Sequence, residues 1–386
     1  MSSMNFMYKL LGGVAVEWKA LGDVIKLEKG RQLNKELLSE NGLYPAYNGG
    51  ISHSGFTDTY NYTENTTIVS QGGASAGFVN FVTSKFYANA HCYVVLPKTE
   101  VVKNRYVYHL LKLNQEKLTN KQHGAGIPAL RPSEILDIHI AIPCPHNPEK
   151  SLEIQTEIVR ILDAFTELTA ELTAELTAEL TARKKQYNYY RDQLLNFEQR
   201  EAEWKTLGDL AENLDSMRKP ITSSLREPGD IPYYGASGIV DYVKDYIFDE
   251  DLLLVSEDGA NLLARNTPIA FSVSGKSWVN NHAHVLKFET YAERRFVEYY
   301  LNSIDLTPYI SGAAQPKLNK KSLESISIPN PSPKEKERIV SILDKFDALT
   351  NSITEGLPRE IALRQKQYAY YRDLLLSFPR PEEVEA

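Results

Sequence analysis

The most constraining feature of this sequence is a long internal repeat. The stretch RKKQYNYYRD, from Arg183, returns as RQKQYAYYRD, from Arg364, and IVRILDAFTELT, from Ile158, returns as IVSILDKFDALT, from Ile339. Both pairs are separated by 181 residues, so the two copies keep the same internal spacing. A chain of 386 residues built in this way is expected to fold as two related halves rather than around one continuous core.

Weaker matches in front of each helix place a globular head in each half. In these matches EWKALGD (from Glu17), IVSQGGA (from Ile68) and GAGIPAL (from Gly124) correspond to EWKTLGD (from Glu203), LVSEDGA (from Leu254) and GAAQPKL (from Gly312). The first head, about residues 17–145, and the second head, about residues 203–330, contain short β-type runs such as HCYVVLP and IHIAIP between Gly, Asn and Ser. We therefore predict an α+β protein with two mixed α/β heads joined by two long helices.

The segment from residue 153 onward has the apolar pattern of a long α-helix. Apolar side chains recur every three or four residues, at Ile154, Ile158, Ile161, Phe165, Leu168, Leu172, Leu176 and Leu180. This stripe is narrow, as in a coiled-coil seam, and the second copy repeats it at Ile339, Ile342, Phe346 and Leu349. Gly356-Leu357-Pro358 is expected to break or kink the second helix before it resumes from Leu363 to Leu376. If the repeat forms a two-fold, the seams pair antiparallel; alternatively, a seam binds a helix of another protein.

Residues 169–180 consist of the tetrapeptide Thr-Ala-Glu-Leu written three times. Ala, Glu and Leu favour helices, and each copy adds four residues, or about 6 Å of helix, while the Leu stripe continues. The interval from Ile158 to Arg183 is 25 residues, as is the interval from Ile339 to Arg364. These matched intervals predict that TAEL sets the length of a symmetric spacer between the heads.

The composition limits the classes of protein to which this chain can belong. With only two cysteines, the chain is not a disulfide scaffold and fits a reducing cytosol. The N-terminus has no signal-peptide pattern and no stretch approaches ~20 apolar residues, so a cytoplasmic protein is expected. The formal net charge of −7 argues mildly against nucleic acid as a partner, although residues 1–150 hold 15 basic and 12 acidic side chains. The second head is acidic, with 13 basic and 18 acidic side chains over residues 203–333.

Motifs that carry catalysis are missing from the sequence. There is no Gly-x-x-x-x-Gly-Lys-Ser/Thr loop, no Gly-x-Gly-x-x-Gly after a strand and no Asp/Asn-Pro-Pro-aromatic tetrapeptide. His91-Cys92 and His282-Ala283-His284 lack the four-ligand spacing of a zinc site. We therefore predict no catalytic residue and no metal ligand in this chain.

Two divergent heads, two helices ending in RxKQYxYYRD and the tandem TAEL together resemble the specificity subunit of type I restriction–modification enzymes. The resemblance covers essentially the whole chain. It implies two target-recognition domains, each reading one half of a bipartite, asymmetric site in double-stranded DNA. It also implies that two long conserved helices pair as an antiparallel coiled coil about a pseudo-two-fold.

The same resemblance implies partners and their cofactors. Two modification (methyltransferase) subunits would methylate adenine with S-adenosylmethionine, and restriction (helicase–nuclease) subunits would use ATP and Mg2+ for translocation and cleavage. No cofactor is then expected in this chain. The implied boundaries are a first target-recognition domain over residues 1–150, a central helix over 151–201, a second target-recognition domain over 202–333, a distal helix over 334–378 and a C-terminal tail over 379–386.

Candidates for DNA contact are polar residues in Gly-rich or polar loops, because major-groove readout favours Arg or Lys on guanine and Asn or Gln on adenine. In the first head these are Arg31, Asn48, Ser52, His53, Gln71, Ser75, Lys85 and Asn89. In the second head they are Ser237, Arg265, Asn266, Lys276, Asn281, Gln315 and Lys317. Each could also be an ordinary solvent-exposed loop residue. The first head has Ile127 at the position of Gln315, so the heads would use this turn differently.

Aromatic residues near the helix ends leave two roles open. Tyr187, Tyr189, Tyr190, Tyr368, Tyr370 and Tyr371 lie beside Arg and Lys and could stack on bases. Their helical spacing favours packing or subunit contact instead. The residues predicted to dock the modification subunits are Tyr187, Tyr190, Arg191, Tyr368, Tyr371 and Arg372. The alternative for the whole chain is a coiled-coil scaffold that binds only protein and does not read DNA.

Overall fold

The computed structural model describes residues 15–120, 128–198, 202–312, 315–352 and 354–378. The chain forms two compact units, of which the first comprises Met1–Glu175 with Ala362–Ala386 and the second comprises Leu176–Ile361. Each unit contains one head and parts of both long helices. The predicted boundaries at residues 150, 201 and 333 follow the sequence repeat, whereas the compact units divide both helices. The predicted tail over residues 379–386 lies outside the described residues.

The first head consists of a four-stranded sheet, a three-stranded sheet and a pair of strands. Its elements are β1 (Val16–Ala20), α1 (Leu21–Val24), β2 (Ile25–Lys29), a 3-10 turn (Lys35–Leu37), β3 (Tyr44–Tyr47), β4 (Gly55–Thr57), β5 (Thr66–Ser70), β6 (Val79–Val82), β7 (Tyr87–Ala88), β8 (Cys92–Pro97), α2 (Asn104–Leu113), α3 (Gln115–Asn120), α4 (Pro132–Leu136) and β9 (His139–Pro143). The strand orders are β2-β8-β5-β6, β4-β3-β7 and β1-β9. Strands β3 and β7 are parallel, and the other pairs are antiparallel.

The four-stranded sheet of the first head is buried on both faces. On one face Val69 of β5 packs with Val95 of β8 and with Tyr106 of α2. On the other face Ile68 packs with Phe86 near the small sheet. Because both faces are covered, all five residues of β5 are buried, and burial does not alternate along this strand. The runs HCYVVLP and IHIAIP form β8 and β9, as predicted.

One continuous helix, α5 (Pro148–Leu195), follows the first head. Its 48 residues correspond to about 72 Å at 1.5 Å per residue. Ile154, Ile158 and Leu162 are buried in the core of the first head, so the start of the helix is a core element as well as a seam. The predicted stripe includes Leu168, whose side chain is 50% exposed, and omits Leu162, which is fully buried. Within the described segments, a helix with the length and apolarity to cross a bilayer is not found.

The second head repeats the first strand by strand. Its elements are β10 (Glu203–Thr206), α6 (Leu207–Leu210), β11 (Glu212–Asn213), 3-10 turns (Asp215–Met217 and Ser223–Leu225), β12 (Pro228–Gly235), β13 (Gly238–Val243), β14 (Phe248–Asp249), β15 (Leu252–Ser256), α7 (Asn261–Ala264), β16 (Ala270–Val273), β17 (Lys276–Val279), β18 (Ala283–Lys287), α8 (Tyr291–Ser303), a 3-10 turn (Thr307–Tyr309), α9 (Lys320–Glu324) and β19 (Ser327–Asn330). The orders β11-β18-β15-β16, β13-β12-β17-β14 and β10-β19 match those of the first head, with β14 added.

The second long helical segment is interrupted, forming α10 (Pro333–Asn351) and α11 (Gly356–Leu376). Gly356 has a φ of +74°, and a Cβ atom there would lie 2.4 Å from the carbonyl oxygen of Ala348, so this position requires glycine. Pro358 lies in the first turn of α11, where its missing N–H removes no helical hydrogen bond. The predicted break is therefore confirmed, and it falls just before Gly356.

Each head core is completed by the end of one long helix and the start of the other. In the first unit Leu375, Leu376 and Phe378 join the core beside the start of α5. In the second unit Leu194, Leu195 and Phe197 join the core beside the start of α10. Since a helix start meets a helix end in both units, the helices pair antiparallel, as the repeat predicted.

The same ring contact joins the helix pair in each unit. Phe165 stacks on Tyr371 with centroids 5.2 Å apart, and Phe346 stacks on Tyr190 with centroids 5.7 Å apart. Phe346 follows Phe165 by 181 residues, and Tyr371 follows Tyr190 by the same interval. The sequence repeat thus extends to the side-chain packing within each unit.

Candidate functional site

Four loop segments of the first head meet at the end of β5. The Ser70 hydroxyl donates to the carbonyl oxygen of Gly50 at 3.1 Å, which holds the turn between β3 and β4. The Gln71 amide donates to the carbonyl of His91 at 2.7 Å, and the Leu130 amide donates to the carbonyl of Gln71 at 2.8 Å. We call the segments 48–54, 70–75, 89–91 and 128–130 the turn cluster of the first head.

The second head builds the same cluster with the same backbone contacts. The Ser256 hydroxyl donates to the carbonyl oxygen of Ala236. The Glu257 amide donates to the carbonyl of His282 at 2.9 Å, and the Leu318 amide donates to the carbonyl of Glu257 at 2.8 Å. We call the segments 236–240, 256–260, 280–282 and 315–318 the turn cluster of the second head. The segments 124–127, with Ile127, and 313–314 lie outside the described residues.

Gly49, in the first turn cluster, must be glycine because two neighbouring loops approach it closely. Gly49 has a φ of +78°, and a Cβ atom there would lie 2.9 Å from the carbonyl oxygen of His91 and 3.2 Å from that of Gly72. A larger residue would therefore separate the first turn from its two neighbours.

Most of the residues predicted for the first head lie in or beside its turn cluster. Asn48, Ser52 and His53 are exposed on the turn between β3 and β4, while Gln71 and Ser75 are half-buried after β5. The exposed Arg31 follows β2, and its backbone amide donates to the carbonyl of Ala88. The exposed Lys85 precedes β7 and lies over the ring of Tyr60.

Asn89 differs from the other predicted residues because it is buried, with 4% of its surface exposed. Its side-chain oxygen accepts hydrogen bonds from the amides of Ala90 at 2.6 Å and Leu33 at 3.4 Å. The carboxamide therefore shapes the loop before β8 and is not available to a ligand.

The predicted residues of the second head fall into two groups. Ser237, Asn281, Gln315 and Lys317 are exposed in the turn cluster. Arg265 is held elsewhere, because its guanidinium donates to the carbonyl of Ile304 at the end of α8, at 2.7 Å. The exposed Asn266 follows Arg265 directly, and the exposed Lys276 begins β17, outside the cluster. The structure therefore brings four of the seven residues together and leaves three apart.

Next to the second turn cluster lies a network of charged side chains, which are buried except for Lys317. Arg218 donates to Glu257 at 2.6 Å and to the carbonyl of Ala283 at 2.9 Å. Lys317 forms an ion pair with Glu257 at 3.0 Å. Asp215 lies 2.6 Å from Nδ1 of His284. Five side chains of both charges in this network link strands β15 and β18 to the turn cluster of the second head.

His284 bridges two elements of the second head. Its Nδ1 faces the Asp215 carboxyl group at 2.6 Å and its Nε2 faces the carbonyl oxygen of Leu318 at 2.7 Å. A carbonyl oxygen can only accept, so Nε2 carries a hydrogen and donates it to Leu318. Burial opposes ionisation of Asp215, but the hydrogen bond from His284 holds the pKa of that carboxyl below its ordinary value. Burial likewise opposes ionisation of Glu257, and the bonds from Arg218 and Lys317 hold its pKa below the ordinary value.

Asp215, Glu257 and His284 also bring three potential metal-ligand atoms within 4.8 Å of one another. Their atoms are already engaged, because Arg218 and Lys317 neutralise Glu257 and the two His284 nitrogens lie at hydrogen-bond distance from Asp215 and from the carbonyl oxygen of Leu318. The donor set therefore fits an ion network better than a metal site. Sequence reasoning missed this network, although the LVSEDGA match already showed an acidic residue where the first head has Gln71.

The tyrosines predicted to dock partners mostly pack inside the chain. Tyr187 and Tyr190 contact Phe346, and the Tyr368 hydroxyl lies 3.0 Å from that of Thr166. Arg191 and Arg372 lie over the rings of Tyr187 and Tyr368, and each pairs with the Asp that follows it. The most exposed rings of the two motifs belong to Tyr189 and Tyr370, at 62% and 56%, which the docking prediction omits.

Comparisons with known proteins were made for the whole chain. The model of the type I restriction modification DNA specificity domain matches twice, at residues 14–182 and 200–363. The specificity subunit of the type I restriction enzymes EcoR124I/EcoR124II from Escherichia coli is 38% identical over 415 aligned positions and is covered completely, as is this chain. A putative type I restriction enzyme specificity subunit of Haemophilus influenzae is 35% identical, covering 98% of this chain and 99% of its own. The crystal structure of a type I restriction-modification S subunit from M. genitalium covers 95% of this chain and 98% of its own, with a TM-score of 0.55 and 20% identity.

Proposed function

The chain belongs to the family of type I restriction–modification specificity subunits, and from this we propose that each head reads one half of a bipartite, asymmetric DNA site. The turn clusters are the proposed reading surfaces. The observation that carries this proposal is that one backbone arrangement occurs twice and presents different exposed side chains. Asn48 and His53 stand on the first turn, whereas Ser237 stands on the second. Different side chains on one scaffold would read different bases.

We assign the chemistry of the complex to partner subunits. Two modification subunits would methylate adenine with S-adenosylmethionine, and restriction subunits would use ATP and Mg2+ to translocate and cleave DNA. This chain would supply sequence recognition and assembly. The purified chain alone is then expected neither to methylate nor to cleave DNA.

The paired helices are the proposed docking surface for the modification subunits. Tyr189 and Tyr370 occupy equivalent places in the repeat and present most of their rings to solvent. Tyrosine has an apolar ring and a polar hydroxyl, a combination common at protein interfaces. Two equivalent patches would dock two copies of one partner. The packed residues Tyr187, Tyr190, Tyr368 and Tyr371 would hold the helix pair beneath these patches.

The best test of this function exchanges one head. Replacing residues 17–145 with the head of a relative should change one half-site and leave the other intact. The donor should match the buried positions Ile154, Ile158 and Leu162, because these side chains of α5 complete the first core. The measurement is the methylated sequence in the genome of a host that carries the hybrid and its partner subunits.

The outcomes of the exchange separate two functions. A change in one half-site supports independent reading heads. Changes in both half-sites would contradict independent heads. An unchanged methylated sequence would favour the alternative, in which the chain is a scaffold that binds protein and the partners read DNA.

A further inference from the structure

Each head carries an exposed lysine over an exposed tyrosine ring, away from its turn cluster. The ammonium nitrogen of Lys85 lies 4.7 Å from the ring centroid of Tyr60. The ammonium nitrogen of Lys276 lies 4.7 Å from the ring centroid of Tyr246. Both lysines are exposed, and the two rings are 44% and 47% exposed. The same pair of residue types therefore has the same geometry in both heads.

The two pairs occupy equivalent positions in the fold. Tyr62 pairs across strands with Phe86 in the first head, and Phe248 pairs with Ser277 in the second. In each head the exposed tyrosine lies two residues before the first member of this pair, and the exposed lysine lies one residue before the second member. The strand framework thus places both lysines and both tyrosines independently of the turn sequences.

Packing does not explain why both heads have this pair. The buried neighbour of the lysine is Phe86 in the first head and Ser277 in the second, so the interior has changed around an unchanged surface pair. Across the described part of the chain, neither Lys85 nor Lys276 forms an ion pair with a carboxylate. The lysine charge is therefore free to meet a ligand.

The chemistry of the pair suits one kind of ligand. A lysine ammonium group that lies over the face of an aromatic ring still points its N–H groups toward solvent, and the contact with the ring restricts the motion of the side chain. The adjacent tyrosine hydroxyl adds a second donor. A positive charge beside a hydroxyl matches an anionic phosphodiester, and this combination carries no information about base identity.

The pair lies within reach of a duplex that touches the turn cluster. The ring of Tyr60 packs against Tyr44, at the start of β3, with centroids 4.9 Å apart. The first turn begins at Asn48, at the other end of the same strand. Four strand residues span about 13 Å, which corresponds to a few base pairs.

We propose that Lys85 with Tyr60 and Lys276 with Tyr246 are matched contacts to the DNA backbone, one for each half-site. This inference rests on the proposed function. It divides the predicted contacts into two classes, with the turn clusters reading bases and the two lysine–tyrosine pairs binding phosphate. The pairs fix the position of each head on the duplex whatever its sequence.

The test uses the full chain assembled with its modification subunits. The affinity for a duplex carrying the methylated sequence is measured between 50 and 200 mM KCl. Lys85→Gln and Lys276→Gln should each reduce the slope of log affinity against log salt by about 0.9, and the double variant by about twice that amount. Lys85→Arg should keep the wild-type slope. Lys150→Gln is the matched control, because it removes the charge of an exposed lysine that lies over no ring and pairs with Glu153.

A second readout locates the contact. A neutral methylphosphonate linkage is placed at successive positions of the duplex. The wild-type complex should lose affinity at one position near each half-site, and Lys85→Gln should abolish that loss for one half-site only. Base preference, measured with duplexes altered in either half-site, should be the same for all variants.

Three results would overturn the inference. The first is a salt slope in both single variants that equals the wild-type slope. The second is a reduction of the salt slope in the Lys150→Gln control as large as that in the single variants. The third is a change in base preference at one half-site. The proposed function is judged separately by the wild-type complex. If that complex shows no sequence preference, the reading function fails, while the salt slopes still report whether the lysines bind phosphate.

Discussion

The two heads hold the same turn in the same way but with different chemistry. In the first head the Tyr93 hydroxyl donates to the carbonyl oxygen of Leu130 at 3.1 Å. In the second head His284 donates to the carbonyl oxygen of Leu318 at 2.7 Å. Each ring belongs to the second residue of the equivalent strand, β8 or β18. The scaffold thus places a ring donor at this position in both heads, a tyrosine hydroxyl in the first and an imidazole in the second.

The residues around the donor differ accordingly. Tyr93 is bonded by the neutral Gln71, and burial raises its pKa, so the hydroxyl stays protonated and continues to donate. His284 lies among Asp215, Glu257 and Arg218, which form an ionic network. A buried charge must keep its partners, whereas a neutral hydrogen bond can be lost at smaller cost. The comparison therefore predicts that the second head is the more sensitive to single substitutions and to acid.

The largest expected effect comes from removing Asp215. Asp215→Ala would leave Nδ1 of His284 without its partner and the Val285 amide without the acceptor it now has at 2.9 Å. Loss of one member of a buried ion pair costs about 3–5 kcal/mol. The free energy of unfolding of the second unit should fall by this amount, as measured by urea unfolding combined with hydrogen exchange of strand β18.

The matched substitution in the first head is Tyr93→Phe, which deletes only a hydroxyl. It should cost about 1 kcal/mol, the usual contribution of one neutral hydrogen bond. Asp215→Asn serves as a second control, because it keeps an acceptor and removes the charge. Equal losses from Asp215→Ala and Tyr93→Phe would show that the ionic network adds nothing to the second head.

The long helices offer a contrasting case, because the ring pairs Phe165–Tyr371 and Phe346–Tyr190 match in packing and in sequence, although α5 is continuous and the second copy is interrupted. Deleting one TAEL, residues 173–176, should leave both half-sites unchanged and shorten the gap between them by about one base pair. Four residues are about 6 Å of helix, or at most about two base pairs. Only α5 shortens, however, and the break before Gly356 can absorb part of the mismatch.

The measurement for the TAEL deletion is the methylated sequence of the deletion complex. The Leu stripe continues after loss of a whole tetrad, so assembly should be retained. Deleting a single residue is the control, since it rotates the following helix by roughly 100° and should disrupt assembly. An active four-residue deletion with an unchanged gap would show that TAEL does not set the spacing.

The smallest expected effect is a local response to acid. The pKa values of Asp215 and Glu257 are lowered in the folded chain. Their stabilising contribution is therefore complete above the unfolded value of about 4 and is lost as the pH falls through the lowered folded values. The turn at Leu318 should open on acidification below about pH 4, while the turn at Leu130 should not open in this range.

Hydrogen exchange with mass spectrometry tests the acid response, after correction for the intrinsic effect of pH on exchange. Peptides containing Leu318 and Leu130 give the two readouts within one sample. Glu257→Gln should reduce the difference between them. Parallel opening of both turns would mean that acid acts on the whole fold and not on this network.

Periodicity and repetition predicted the elements that depend on local sequence. The local sequence predicted the break before Gly356 and the strands β8 and β9, and the repeat predicted an antiparallel helix pair on the condition that it forms a two-fold. The prediction of which side chains of α5 are buried was less accurate at Leu162 and Leu168. Residue spacing shows which side chains share a face of the helix, but it does not show which segment covers that face. The start of α5 is covered by the first head, which no local pattern indicates.

Side-chain roles in the heads depended on contacts between distant segments. The sequence favoured Asn89 and Arg265 as residues that contact DNA, because both are polar and lie in loops. The structure buries Asn89 among backbone amides and directs Arg265 to the carbonyl of Ile304. The ion network of Asp215, Glu257 and His284 was not predicted from the sequence, because its basic members Arg218 and Lys317 lie far along the chain from Glu257.

The sequence by itself therefore determined that the chain is one unit written twice, with two heads on two matched helices. A repeat and a helical period are properties of neighbouring residues, and they can be read without knowing the fold. Only the tertiary structure decided that each core is closed by the ends of both helices, and that one turn is held by a tyrosine with a neutral partner and its counterpart by a histidine within an ion network. The physical reason is that burial and charge pairing depend on which segments meet in space, and Asp215, Glu257 and His284 meet only after the strands have paired.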